Sequence, residues 1–119
     1  MDKYTFFDLR VYKESKELVK SVYTLLDRFP KYETYSLGDQ LRRAVVSVPS
    51  NIAEGSGRST DAEFCHFLDI ALGSANEVET QLLISKNLHY ITEENYQALL
   101  EKLTGIQKQL TGLIASIRH

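Results

Sequence analysis

Residues 40–58 read QLRRAVVSVPSNIAEGSGR, and the reading of this stretch decides the fold. Leu41, Ala44, Val45, Val48 and Ile52 recur at steps of three and four, the period of one helix face. Pro49 sits inside that pattern, where a proline costs about 3 kcal/mol and leaves a carbonyl without its donor. On a wheel turning about 100° per residue, Leu37, Leu41, Ala44, Val45, Val48 and Ile52 form a core face. Arg42, Val46, Pro49 and Ala53 form a second face, and Gln40, Arg43, Ser47 and Glu54 a third side. The proline therefore points away from the core seam and kinks the helix without opening it. Ser50 and Asn51 offer donors to backbone groups that it leaves unpaired. The second face, apolar with one arginine at its edge, has the composition of a subunit contact. Gly55 fits the left-handed position past the helix end. Residues 55–58, GSGR, are too short for a phosphate-binding loop or a dinucleotide fingerprint.

Three more helical segments surround this one. The first spans about 9–29, with Val11, Tyr12, Leu18, Val19, Val22, Leu25, Leu26 and Phe29 as its stripe, Asp8 as N-cap and Pro30 as stop. The second, about 37–54, has Ser36 as cap and Asp39 in its first turn, where a negative charge suits the dipole. The third, about 61–88, opens on a Thr60–Glu63 capping box. The fourth, about 93–117, is capped by Thr92. Its apolar residues Tyr96, Leu99, Leu103, Ile106, Leu110, Leu113 and Ile117 alternate steps of three and four, a heptad seam. The connections at 30–36, 55–60 and 89–92 are short, and short links between long helices make antiparallel neighbours. The expected fold is an all-α, up-down-up-down four-helix bundle, kinked at Pro49, in a single domain over 1–119.

Composition narrows the function classes. Charged residues are 25% and hydrophobic residues 43%, ordinary for a globular chain. The net charge of −2 argues against a strongly basic nucleic-acid binder. Residues 1–60 carry 10 Lys/Arg against 8 Asp/Glu, and residues 61–119 carry 4 against 8. The halves either attract one another or form a mixed solvated surface. Cys65 is the only cysteine, so no intrachain disulfide or cysteine-based zinc site is possible. The N-terminus does not read as a signal peptide, and no apolar run reaches the roughly 20 residues of a membrane span. A cytoplasmic location is expected, with no membrane partner.

Motifs for chemistry are thin. Glu63-x-x-His66 matches the ligand pair of di-iron bundles, but such a site needs the motif twice, and His89 and His119 have Lys86 and Ser116 three residues earlier. No histidine neighbours Ser47, Ser50, Ser56 or Ser59. Glu77 and Glu79, two apart, point to different sides of a helix. We expect no enzyme, metal, cofactor or small-molecule substrate. Ala98, Gly105 and Gly112 repeat every seven residues beside the fourth helix's seam. Each helical glycine costs up to about 1 kcal/mol against alanine. The repeat marks either a close approach by another helix or tolerated exposed glycines.

The arginines have two readings. Asp39 and Arg43, four apart, make a weak surface ion pair, or Arg42, Arg43 and Arg58 contact phosphate. Arg42 and Arg43 point about 100° apart on the wheel and are not expected to serve one compact site. Arg42 borders the second face. Arg43, with Arg58 in the loop beyond, is the better phosphate candidate. The expected oligomer interface is thus Arg42, Val46, Pro49, Ala53, Gly105 and Gly112, and the expected nucleic-acid contacts are Arg43 and Arg58.

Longer motifs carry a resemblance. They are Phe7-Asp8-Leu9-x-Val11-Tyr12, then Phe29-Pro30-x-x-Glu33-x-Tyr35-Ser36-Leu37-x-x-Gln40-Leu41-Arg42-Arg43-Ala44-x-x-Ser47-x-Pro49-x-Asn51-Ile52-Ala53-Glu54-Gly55-x-x-Arg58. Glu63-Phe64-x-x-Phe67-Leu68 and Ala71-x-Gly73-Ser74-x-x-Glu77-x-Glu79 continue them. In these the chain resembles the bacterial four-helix-bundle proteins encoded in intervening sequences of 23S rRNA genes. The resemblance implies a homo-oligomer, a pentamer, without known enzymatic activity. That family is in turn similar to the accessory variability protein of diversity-generating retroelements, a basic pentamer that works with a reverse transcriptase and nucleic acid. RNA or a nucleic-acid-processing protein is the partner so implied, and a protein–protein adaptor is the alternative.

Overall fold

The computed structural model describes residues 9–118. Four helices carry the chain: α1 (Arg10–Leu26), α2 (Leu37–Ser56), α3 (Asp61–Asn87) and α4 (Glu93–Arg118), with one 3-10 turn at Lys31–Glu33 and no strand among the described residues. Each helix packs on its chain neighbours, and α1 closes against α4, while the diagonal pairs do not adjoin. That ring of neighbours is the antiparallel four-helix bundle the short links require. It measures 44 × 24 × 19 Å. At 1.5 Å per residue, the 27 residues of α3 run nearly its full length.

The core is the apolar seam of each helix. Val11, Leu18, Val22 and Leu25 of α1 are buried, as are Leu41, Ala44, Val45, Val48 and Ile52 of α2. Phe64, Leu68, Ala71, Ala75, Val78 and Leu82 come from α3, and Tyr96, Leu99, Leu103, Ile106 and Leu110 from α4. Near the end of α4 the seam departs from the heptad. Ile114 is buried, whereas Leu113 and Ile117 are only partly so. A helix at 3.6 residues per turn drifts about 20° per heptad, so after two heptads the neighbouring residue has rotated inward.

The caps follow their chemistry. Thr60 Oγ1 accepts from the Glu63 amide at 3.1 Å, and Thr92 Oγ1 from the Asn95 amide at 3.0 Å. The return half of the Thr60 box differs from expectation, because the Glu63 carboxylate takes the Thr60 hydroxyl at 3.2 Å. Ser36 makes no side-chain cap. Instead Glu33 Oε1 accepts from the Leu37 amide at 3.3 Å. The expected Asp8 cap lies outside the described residues. α3 ends with His89 in the left-handed region, φ 63°. Tyr90 N donates to Ser85 O and His89 N to Lys86 O, both at 2.9 Å, the paired bonds of a Schellman turn.

One expectation about the opening stretch is corrected and a second is sharpened. Gly55 is not a left-handed residue past the helix. It lies inside α2, and the reason for glycine is proximity: a Cβ there would stand 2.7 Å from Phe67 Cβ and 3.2 Å from the Phe64 carbonyl oxygen. Pro49 lies away from the core seam as the wheel places it, but it does not stand in open solvent. It is buried beside α1, because α1 packs on the rim of the second face as well as on the core. Asn51 Nδ2 donates to Ser47 O at 2.8 Å and Ser47 Oγ at 2.9 Å. It thus braces the turn before the proline, whereas the carbonyl deprived of its donor is Val45's.

Candidate functional site

Three places on the surface gather the residues singled out by sequence. The first is a groove of about 620 Å³ between α1 and α2, lined by Tyr12, Lys16, Val19, Val46, Pro49, Ser50 and Ala53. Val46, Pro49 and Ala53 meet here as the wheel requires. Arg42, one turn earlier, does not line the groove. Its Nη2 donates to Thr34 O at 3.2 Å and so ties the α1–α2 linker to α2. The second is a shallow hollow on the outer face of α4, lined by Ala98, Leu100, Gly105 and polar neighbours. No atom of the described residues lies within 4 Å of a Cβ built on Gly105 or Gly112, so no described helix packs on these two glycines, whereas Ala98 also lines a separate pocket with Ser21 and Thr24 of α1. The groove and the hollow share no residue.

The third place is the arginine pair, where the structure overturns an expectation. Arg42 and Arg43 do converge on one site, the carboxylate of Asp39. Arg42 Nη2 lies 3.2 Å from Oδ1, and Arg43 Nε lies 2.9 Å from Oδ2. A wheel reports Cβ directions, but positions three and four residues on both neighbour Asp39, and long side chains close the angle. Arg43 remains 80% exposed at its side chain. Arg58 is engaged within the fold. Its Nη2 pairs with Glu54 at 2.6 Å, its guanidinium sits 4.6 Å from the Phe67 ring centre, and its Nε is buried without a hydrogen-bond partner. Roughly 20 Å of helix separates Arg43 from Arg58, so one subunit does not bring them together.

The remaining chemistry is sparse. Among the described residues no three of His, Cys, Asp and Glu are grouped to hold a metal ion. Glu63 is occupied by Thr60, and the exposed His66 ring stands edge-on to Phe67 at 5.5 Å. Cys65 is buried, its Sγ 4.0 Å from Ile114 O. No helix among the described residues is long and apolar enough to cross a membrane.

Sequence reasoning missed one cluster. The α1–α2 linker and the α3–α4 turn are joined where Tyr90 Oη donates to Glu33 Oε2 at 2.7 Å and lies 3.3 Å from Tyr32 Oη. Phe29 packs on Tyr90 at 5.3 Å between ring centres. A cleft of about 470 Å³ opens beside them, lined by Arg28, Lys86, Asn87, His89, Tyr90, Ile91, Thr92 and Glu93. The only sequence signal was the tyrosine-rich linker 31–36, KYETYS.

Comparison with known proteins agrees with this bundle. A comparison with curated proteins finds no match. A solved structure of a protein of unknown function from the S23 ribosomal protein family of Bacteroides thetaiotaomicron is similar, at 30% identity and a TM-score of 0.82, covering 87% of this chain and 97% of that one. The family model for the 23S rRNA-intervening sequence protein matches residues 7–112. With its helices in that arrangement and most of its length matched, the chain belongs to the 23S rRNA-intervening sequence protein family.

Proposed function

We propose that the chain is a non-catalytic, self-assembling bundle of the cytoplasm, one domain over 1–119, which associates with RNA through side chains repeated around the assembly. The observation that carries this reading is the apolar groove of Tyr12, Val19, Val46, Pro49 and Ala53 on the outside of the bundle. Its residues have subunit-contact chemistry. The hollow at Gly105 supplies a second, different patch. Contact between two unlike patches is heterologous, and a heterologous contact whose rotation closes makes a ring. The pentamer implied by the family resemblance is such a ring. A ring also repeats each weak basic site, so exposed Arg43 side chains act together on one RNA strand despite a net charge of −2.

Light scattering on the purified protein tests assembly, with a mass near five times 13.6 kDa expected and a mass near 13.6 kDa sinking it. RNA association is tested by fluorescence anisotropy at about 50 mM salt, where each neutralised phosphate releases counterion and binding weakens steeply as salt rises. A specific observation favours a second reading, the protein–protein adaptor. Arg43 and Arg58 are each already paired with a carboxylate. An oligomer without RNA affinity at low salt would select it.

A further inference from the structure

We infer that the end of the bundle where the α1–α2 linker meets the α3–α4 turn is a base-stacking site for single-stranded RNA, formed by Tyr32 and Tyr35 beside Arg28, Lys31 and His89. The inference rests on the RNA reading above and names where and how the strand is held.

The two tyrosines are the most exposed large apolar side chains among the described residues, Tyr35 at 92% and Tyr32 at 75%. Folding leaves both rings in water: the fold uses Tyr32 only at its hydroxyl, and Tyr35 is almost wholly exposed. Tyr32 is not loose, because its hydroxyl lies 3.3 Å from Tyr90 Oη, and Tyr90 is held in turn by Glu33. A ring fixed at its tip and open on its faces is a stacking platform, and stacking tolerates any base. The cleft that Tyr90 lines continues this surface with Arg28, Asn87, His89 and Thr92. Its volume of about 470 Å³ falls in the range of small-ligand pockets.

Charge and strain point the same way. Among the described residues Arg28 and Lys31 have no acidic partner, whereas Arg42, Arg43 and Arg58 all do. Lys86 is held by Glu93 at 3.3 Å and lies over the Tyr96 ring, so it forms a fixed wall of the cleft. His89 takes the left-handed turn position where glycine is the ordinary residue, and its imidazole projects exposed at the cleft. A non-glycine residue in that conformation carries a backbone cost, and such costs collect at functional sites. A protein-docking hot spot is an apolar cluster shielded by a polar rim. Here Tyr32 meets Tyr90, whose cleft carries Arg28, Asn87 and His89 as well as the paired Glu93, and the same linker carries Lys31 and Tyr35, a polar and cationic setting suited to a nucleotide. Duplex RNA keeps its bases stacked, so the ligand is a single strand.

The test is anisotropy with a fluorescein-labelled 12-nucleotide oligoadenylate and, beside it, an RNA duplex of equal length. We expect the full chain to prefer the single strand. Tyr32→Ala with Tyr35→Ala should weaken it roughly tenfold or more, and Tyr35→Phe with Tyr32 kept should hold the affinity within about twofold, since phenylalanine still stacks. Arg28→Ala with Lys31→Ala should flatten the salt dependence by roughly 1.4 in log–log slope, two phosphates at about 0.7 each. Tyr35→Ala alone removes no contact within the fold, and matching circular dichroism of all variants controls for unfolding. If the double alanine variant binds as the parent does, this site is wrong and RNA is held elsewhere, so the broader RNA reading survives. If the parent binds neither RNA, both readings fall. Equal loss of single strand and duplex would also overturn stacking.

Discussion

Gly55 and Phe67 approach so closely across the α2–α3 interface that a Cβ on the glycine would stand 2.7 Å from the Cβ of the phenylalanine. The atoms in the way are that β-carbon, the ring of fully buried Phe64 at 3.0 Å and the Phe64 backbone oxygen at 3.2 Å, none of which swings aside freely. Gly55→Ala gains up to about 1 kcal/mol of helix propensity. Overpacking costs typically about 1–3 kcal/mol, and with backbone as the obstacle the cost wins. We expect a net loss on the order of 1 kcal/mol in urea unfolding. An unchanged midpoint would mean that α3 shifts freely against α2.

The α4 glycines give the opposite sign. Nothing lies within 4 Å of a Cβ on Gly105 or Gly112. Gly105→Ala and Gly112→Ala should each stabilise the subunit by up to about 1 kcal/mol. If the outer face of α4 packs on another subunit, the same change weakens the assembly. Thermal unfolding of dilute protein reads the first effect and light scattering across a dilution series the second. An assembly untouched by both changes removes this face from the interface.

Asp39 sets how much of Arg43 a phosphate can use. It holds two guanidinium groups with one carboxylate, half in water. Surface pairs of this kind contribute about 0–1 kcal/mol each, so Asp39→Asn should lower stability only slightly. It should tighten RNA binding at low salt several-fold per ring, because Arg43 is released and the net charge rises. Tightening that Arg43→Ala cancels would place Arg43 at the phosphate. No tightening would remove Arg43 from the RNA surface.

His89→Gly relieves the left-handed backbone at the end of α3. The two turn hydrogen bonds, Tyr90 N to Ser85 O and His89 N to Lys86 O, need only that backbone shape. Glycine reaches it without the Cβ penalty, so a gain of about 1 kcal/mol in unfolding free energy is expected. A loss would mean that the imidazole itself holds the turn.

The bundle was legible because four seams repeat at helical period and three short links leave one topology. Leu41, Val45, Val48 and Ile52 are buried as spaced. What a period does not carry is distance between elements. Gly55 looked like a helix stop because a glycine near a helix end commonly is one, while its true reason, Phe67, lies on another helix. Ser15 is buried with its hydroxyl on Tyr12 O, and a stripe of apolar letters passes over it. Of the Asp39 cluster the four-residue spacing showed the Arg43 pair, and only Arg42 was hidden, because a wheel has no side-chain length. The Tyr32–Tyr90–Glu33 joint spans 58 residues of sequence, and no local pattern contains it.

Acid and alkaline unfolding should come from different groups: Glu14 and Glu93 on the acid side, Tyr90 on the alkaline. The Glu14 carboxylate accepts from Arg10 Nε at 2.6 Å and Gln109 Nε2 at 2.7 Å, and these contacts, Arg10's foremost, hold it below its ordinary value of 4.5. Glu93 is held below the same value by Gln97 and then Lys86. For a carboxyl depressed in the fold, the unfolded chain binds the extra proton, so the stabilisation is present above pH 4.5 and is lost as pH falls through the folded value. Tyr90 is the reverse case. Its hydrogen bonds with Tyr32 and Glu33 raise the phenol above its ordinary value of 10.0, and the folded chain keeps a proton that the unfolded chain gives up. That stabilisation is complete below pH 10 and is lost as pH climbs past it. The unfolding midpoint should therefore be flat across neutral pH, fall below about 4.5 and fall again above about 10. Glu14→Gln with Glu93→Gln should flatten the acid arm and leave the alkaline arm, and Tyr90→Phe should do the converse. An alkaline arm that persists in Tyr90→Phe would assign it to other tyrosines and detach the linker joint from the pH response.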